Sequence, residues 1–232
     1  SIVSPYRKKL FKISEINPNE FWLQNKNRNF RENHNFLWLN LIDRKIDRKN
    51  TQKIIYIWML KYSNFKKQIW ETSTLSKRVI SWMLNIDIII NNGTFEFKKN
   101  LFQNIISQCN HLKKNLRFEK EPIKRIEIFC ALILSGIVFR EYEENYNIGI
   151  KELERFTKYH FDKDGFPLSR SPNDLISFTK YLILCHETIK DAQLHMPEFL
   201  DDIIKKNLTC IKFLKTPNNQ VPLFLFVSII PG

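Results

Sequence analysis

The chain has 232 residues, is 43% hydrophobic and 26% charged, and carries 37 Lys and Arg against 24 Asp and Glu, a net charge of +13. That length and apolar content suffice to bury a full core in one large domain. Only 5 glycines and 9 prolines argue against a fold of many tight turns, such as a β sandwich or barrel, and the longest apolar run near an end, LFLFVSII (223–230), is far shorter than the roughly 20 residues of a membrane span.

In chain order, a polar, asparagine-rich lead-in over about residues 1–30 precedes segments of helical periodicity. NFLWLNLIDRKI (35–46) and TQKIIYIWMLKYS (51–63) read as one antiparallel pair. TLSKRVISWMLNIDIII (74–90) follows Trp70 and is stopped by Asn91-Asn92-Gly93. Further helices are predicted over 95–116, 122–139, 142–161, 172–190 and 197–214, the one opened by Pro122 being apolar enough to be buried on most sides. Hairpins recurring about every 40 residues predict an all-α fold, a solenoid that closes into an α/α toroid over 31–220. Residues 221–232 are expected to form the start of a further domain, because their hydrophobic run would need covering. The chain opens at Ser1 without an initiator Met or a signal segment, so it reads as a fragment whose compartment is undetermined.

Cys109, Cys130, Cys185 and Cys210 form no CxxC pair and have no metal-ligand spacing with histidine; each falls in an apolar helical pattern and is expected to be a buried thiol. The positive charge suits a polyanionic partner. The densest runs (44–53, 113–124 and Lys205-Lys206) are interleaved with acids or polar residues, as on a solvated face. Trp38, Trp70 and Trp82 could line a sugar-stacking cleft or fill the core. Arg78, one turn before Trp82, could bind a carboxylate or join a surface ion pair. His111, His186 and His195 stand apart in sequence from each other and from any carboxylate pair, whereas Tyr159 and His160 end the helix before the next loop.

That loop, DKDGFPLSRSP (162–172), is the most informative stretch. Asp164-Gly165 signals a turn, Ser169 and Ser171 are N-cap candidates, and Pro172 suits the first turn of the following helix. Arg170 is left over: it either presents its planar donor fork to a carboxylate or sulfate, or ties the loop to Asp162 or Asp164.

Three stretches taken together, NHNFLWLNLI (33–42), WETSTLSKRVISWMLN (70–85) and DKDGFPLSRSP (162–172) with its long helix, resemble the N-terminal helical domain of the heparinase II/III-like polysaccharide lyases. VPLF (221–224) is similar to the point where that family's chain passes into a β-sandwich, and the likeness covers about residues 17–224. The resemblance implies an incomplete α/α toroid, in a bacterial protein of the periplasm or cytoplasm, that binds an acidic uronate-containing polysaccharide through Arg170, Arg78, Trp82, Trp70 and Ser169. It implies cleavage by β-elimination without a metal or organic cofactor, an acidic glycan ahead of nucleic acid as the polyanion, and a β-sandwich supplying a further histidine.

Elimination needs a donor that neutralises the uronate carboxylate and a Tyr or His that moves the protons. The chain departs from the family there. Asn173, Asp174 and Leu175 stand where a Tyr and a His follow the Arg-Ser-Pro loop, Phe166-Pro167 replaces a Gly-His, and Ile123-Lys124 replaces an Asn-His pair. Catalytic residues therefore stay unassigned, and a non-enzymatic polyanion-binding helical module is the alternative. A helical-repeat scaffold for nucleic acid or protein is a third reading.

Overall fold

The computed structural model describes residues 16–22, 30–42 and 48–214. Among them the chain is all-α, with no strand; an isolated bridge pairs Phe161 with Pro167. Chain packing separates two compact units, Ser1–Asn115 and Leu116–Gly232. The run expected to lead into another domain, 221–232, and most of the 1–30 lead-in lie outside the described residues. No described helix is long and apolar enough to cross a membrane.

The first unit contains α1 (Pro18–Phe21), α2 (Phe30–His34), a 3-10 turn (Leu37–Leu41), α3 (Arg48–Tyr62), α4 (Thr72–Leu84), α5 (Ile86–Ile90) and α6 (Phe95–Asn115). Glu71 starts α4 by accepting the Thr74 N–H at 3.0 Å, which satisfies one of the donors a helix start leaves open. The core is aromatic. Phe36, Trp58 and Trp82 meet nearly at right angles, with ring centroids 5.2–5.6 Å apart, the arrangement in which positive ring edges face negative ring faces. Trp38 and Trp70 are buried too, their indole N–H groups donating to the Asn33 and Tyr62 carbonyls.

Two predicted helices are corrected here. Over 35–42, the described part of the helix expected at 35–46, no α-helix forms: α2 closes at His34, Phe36 is left-handed (φ 58°), and the 3-10 turn follows. The Asn35 side chain accepts the Leu37 N–H at 2.9 Å, a local bond that competes with the helix. The irregular path lets Phe36, Trp38 and Leu39 all turn inward, which one helical face would not allow. The helix expected over 74–90 breaks at Asn85 (φ −118°, ψ 18°). Its amide donates to the Ser81 carbonyl and to Asn40 Oδ1, both at 2.9 Å, and holds the kink.

The second unit contains α7 (Pro122–Val138), a 3-10 turn (Arg140–Tyr142), α8 (Glu143–His160), α9 (Pro172–Asp191) and α10 (Glu198–Phe213). These bounds fall within two residues of those predicted. Helix α7 is the centre: every residue from Ile126 to Gly136 is buried, with α8 and α9 against it, and α10 covers α8 and α9. The closest approach is glycine-mediated, since a Cβ on Gly136 would fall on the Tyr146 backbone and one on Gly149 would strike Ile133 and the Phe129 carbonyl.

Candidate functional site

The 162–172 loop is organised by Asp162. Its Oδ1 accepts the N–H groups of Asp164 (3.0 Å) and Phe166 (2.9 Å), and its Oδ2 accepts Arg170 Nη1 at 2.6 Å. Of the two acids open to Arg170, the structure selects Asp162. Arg170 itself is left-handed (φ 56°), a conformation uncommon outside glycine, and its side chain is 67% exposed. The candidate Ser169 donates to Asp174 Oδ2 at 2.6 Å, while Ser171 caps α9 as expected. Gly165 (φ 83°) lies against α10, where a Cβ would collide with Lys206.

The N–H of Phe166, then the Arg170 guanidinium and the N–H of Asp164, hold the Asp162 carboxyl below its ordinary range, against partial desolvation. Its folded pKa is depressed, so its contribution to stability is present above the ordinary 3.8 and is lost as pH falls through the lower folded value. Asp162→Ala removes acceptors from three donors and is expected to lower the Tm at pH 7 by about 5–10 °C, with Asp162→Asn milder. Equal Tm values for wild type and Asp162→Ala in a thermal melt would refute the bracing role.

The other candidates belong to the first unit and lie inside it. Arg78 is 0% exposed: Nε donates to Gln108 Oε1 (2.7 Å), Nη1 donates to the carbonyls of His34 (2.9 Å) and Ile69 (3.2 Å), and the guanidinium lies 4.5 Å over the Trp58 ring. These acceptors are neutral, and no carboxylate among the described residues is within ion-pair reach. Desolvation alone lowers its pKa from 12.5 to about 9, so it stays a cation at neutral pH. The surface ion pair considered for Arg78 is therefore corrected, because the side chain braces α4 from within. Trp82 is also fully buried, so neither residue presents a face to solvent.

Beside them sits His34, a residue the sequence did not single out. Its Nδ1 accepts the Trp58 indole N–H at 2.9 Å, which puts the neutral ring's proton on Nε2. Desolvation first, then the charges of Arg78 and Lys66, lower its pKa from 6.5 to about 3. His111, at the surface end of α6, is lowered likewise by desolvation and Lys114.

Around His111 a basic, aromatic surface is built. Phe65, 64% exposed, has its ring centroid 5.5 Å from that of His111, and Trp70 stands edge-on behind at 5.3 Å. Lys66, over the Tyr62 ring at 4.7 Å, and Lys67 share the Phe65 turn, and Lys114 is exposed on α6. The wider charge follows the same division. Residues 1–115 hold 21 Lys and Arg against 8 Asp and Glu, whereas 116–232 hold 16 of each. Acids in the second unit meet their bases directly, as in Lys158–Glu154 and Lys206–Asp202, both at 2.7 Å.

The remaining titratable groups are distributed. His186, expected to stand apart from any carboxylate pair, is corrected: α10 brings Asp201 Oδ1 to within 3.0 Å of its Nε2, and Glu187 Oε1 lies 2.9 Å from its Nδ1. His160 stacks on Phe156 at 4.1 Å, while Tyr159 and His195 are exposed. Cys109, Cys130 and Cys185 are buried as expected; Cys210 is corrected to half-buried, donating to the Asp164 carbonyl at 3.3 Å, because α10 turns that face towards the loop. Among the described residues no group of three or more His, Cys, Asp or Glu could hold a metal ion. No protein-family model, curated protein or solved structure matches the chain.

Proposed function

We propose that this chain is the acidic-glycan-binding helical domain of a heparinase II/III-like polysaccharide lyase, a segment of an incomplete α/α toroid, and that it does not carry out β-elimination by itself. The observation that carries the reading is the segregation of the entire positive excess into residues 1–115, where an exposed Phe65 is flanked by Lys66, Lys67 and Lys114. An aromatic face gives apolar contact to a sugar ring, and lysines beside it attract its carboxylates or sulfates. Desolvation is the main cause of the lowered pKa values of His34 and His111, and the neighbouring cations Arg78, Lys66 and Lys114 lower them further. The order and spacing of the three family-like stretches support an acidic glycan over other polyanions. Arg170, oriented by Asp162 and still largely exposed, is a second contact for an anionic group.

A non-enzymatic polyanion-binding module is the second reading. It is favoured by the departures at Asn173, Asp174 and Leu175 and by the engagement of Arg170 with Asp162.

Titration with a heparin-like oligosaccharide tests the binding surface. Lys66→Gln, Lys67→Gln and Lys114→Gln together are expected to weaken affinity about tenfold at low ionic strength, with the difference shrinking as salt screens exposed charges. Unchanged affinity in the triple variant would remove this surface from the proposal. A preference for single-stranded nucleic acid over the glycan in competition would replace the ligand class. Ultraviolet absorbance of an unsaturated uronate product from the isolated chain would show that it does carry elimination.

A further inference from the structure

Cys130 on α7 and Cys185 on α9 are both 0% exposed, and their Sγ atoms stand 3.1 Å apart although 55 residues separate them in sequence. That is closer than non-bonded sulfurs ordinarily approach, and too close for two thiolates sharing one tetrahedral zinc, whose sulfurs stand about 3.8 Å apart. We propose that Cys130 and Cys185 form a reversible disulfide that joins α7 to α9, making this pair an oxidative modification site in residues 116–214. In the disulfide the sulfurs would close to about 2.05 Å.

Hydrogen peroxide is the matching oxidant, being small enough to enter where bulky disulfides are not. It oxidises one sulfur to a sulfenic acid and releases one water. The second sulfur then attacks the first, forming the S–S bond and expelling a second water, so that two thiols and one peroxide give one disulfide and two waters. A dithiol reductant reverses the step. Desolvation, followed by the hydrogen bond to Cys185 and the Cys185 and Glu127 charges, raises the Cys130 thiol well above its ordinary range. Thiolate is therefore scarce and the reaction slow, without any change in its end point. The closed loop contains α8 and the whole 162–172 segment, so the cross-link restricts the unfolded chain over much of this unit. The inference is independent of the glycan reading.

The test uses the full chain. Cys210, the half-exposed thiol, is first blocked with N-ethylmaleimide; the protein is then treated with hydrogen peroxide, denatured, alkylated with a second label, and digested without reduction for mass spectrometry. The expected result is one cross-linked pair of peptides containing Cys130 and Cys185, Cys109 carrying the second label, and a Tm raised by about 10 °C and restored by dithiothreitol. Cys185→Ala should lack both the cross-link and the shift. Cys130 and Cys185 recovered as free thiols or sulfinic acids at complete peroxide consumption overturn the proposal, as does a cross-link that forms only with Cys109. Should Cys185→Ala fail to fold, the wild-type linkage map and its reversible Tm shift decide the question on their own.

Discussion

Gly136→Ala is expected to destabilise the 116–214 unit by about 3 kcal/mol or more, among the largest losses from any single methyl group in this protein. In an exposed helix interior the same change would gain up to about 1 kcal/mol from helix propensity. Here the new Cβ meets the backbone nitrogen and Cα of Tyr146, which cannot swing aside as a side chain would, so α7 and α8 must separate along their shared face. Gly149→Ala is expected to cost less, about 1–3 kcal/mol, because Ile133 can change rotamer, although the nearby Phe129 carbonyl cannot. Urea unfolding followed by circular dichroism measures both. A Gly136→Ala protein as stable as wild type would mean that the two helices are not in backbone contact.

Acid should loosen residues 1–115 well above the carboxylate range, through His34. Its pKa is about 3 when folded and 6.5 ordinarily, so between those values the unfolded chain binds a proton that the folded chain refuses. Stability is full above pH 6.5 and declines as pH falls towards 3, by about 3–5 kcal/mol over the window at 1.36 kcal/mol per unit. Protonation places a hydrogen on Nδ1 where the Trp58 N–H already points, and adds a charge beside Arg78 and Lys66. His111, lowered as well, acts in the same direction from a less buried position, and His160 does so separately within residues 116–214. His34→Gln keeps an acceptor for Trp58 but does not titrate there. It should be less stable than wild type at pH 7 and should flatten the slope of stability between pH 7 and 4. If the slope is unchanged in that variant, the acid sensitivity belongs to other groups.

The acid response bears on how the proposed binding surface is held. The Lys66 turn and the His111 end of α6 rest on the interior in which Arg78 bridges His34, Ile69 and Gln108. Loss of that interior at low pH would loosen the surface while leaving the number of exposed lysines unchanged. Binding and unfolding should therefore be compared at one pH.

Sequence alone determined the all-α class and the positions of α6 to α10, because those depend on bonds and caps only three or four residues apart. Pro122 and Pro172 open α7 and α9, Ser171 caps α9, and the polar 162–172 stretch falls between helices as expected. The net charge and the apolar character of α7 were equally legible. Tertiary structure alone decided where α2 and α4 end, because Phe36 and Asn85 adopt conformations set by the core and by Asn40 rather than by local periodicity. It decided that Arg78 is an internal brace, since its acceptors lie as many as 44 residues away. It also chose Asp162 for Arg170, carried Asp201 to His186, brought Cys130 to Cys185 across 55 residues, and divided a charge spread along the chain into one basic unit and one neutral unit. Helical periodicity fixes which residues share a face; only packing fixes which faces meet.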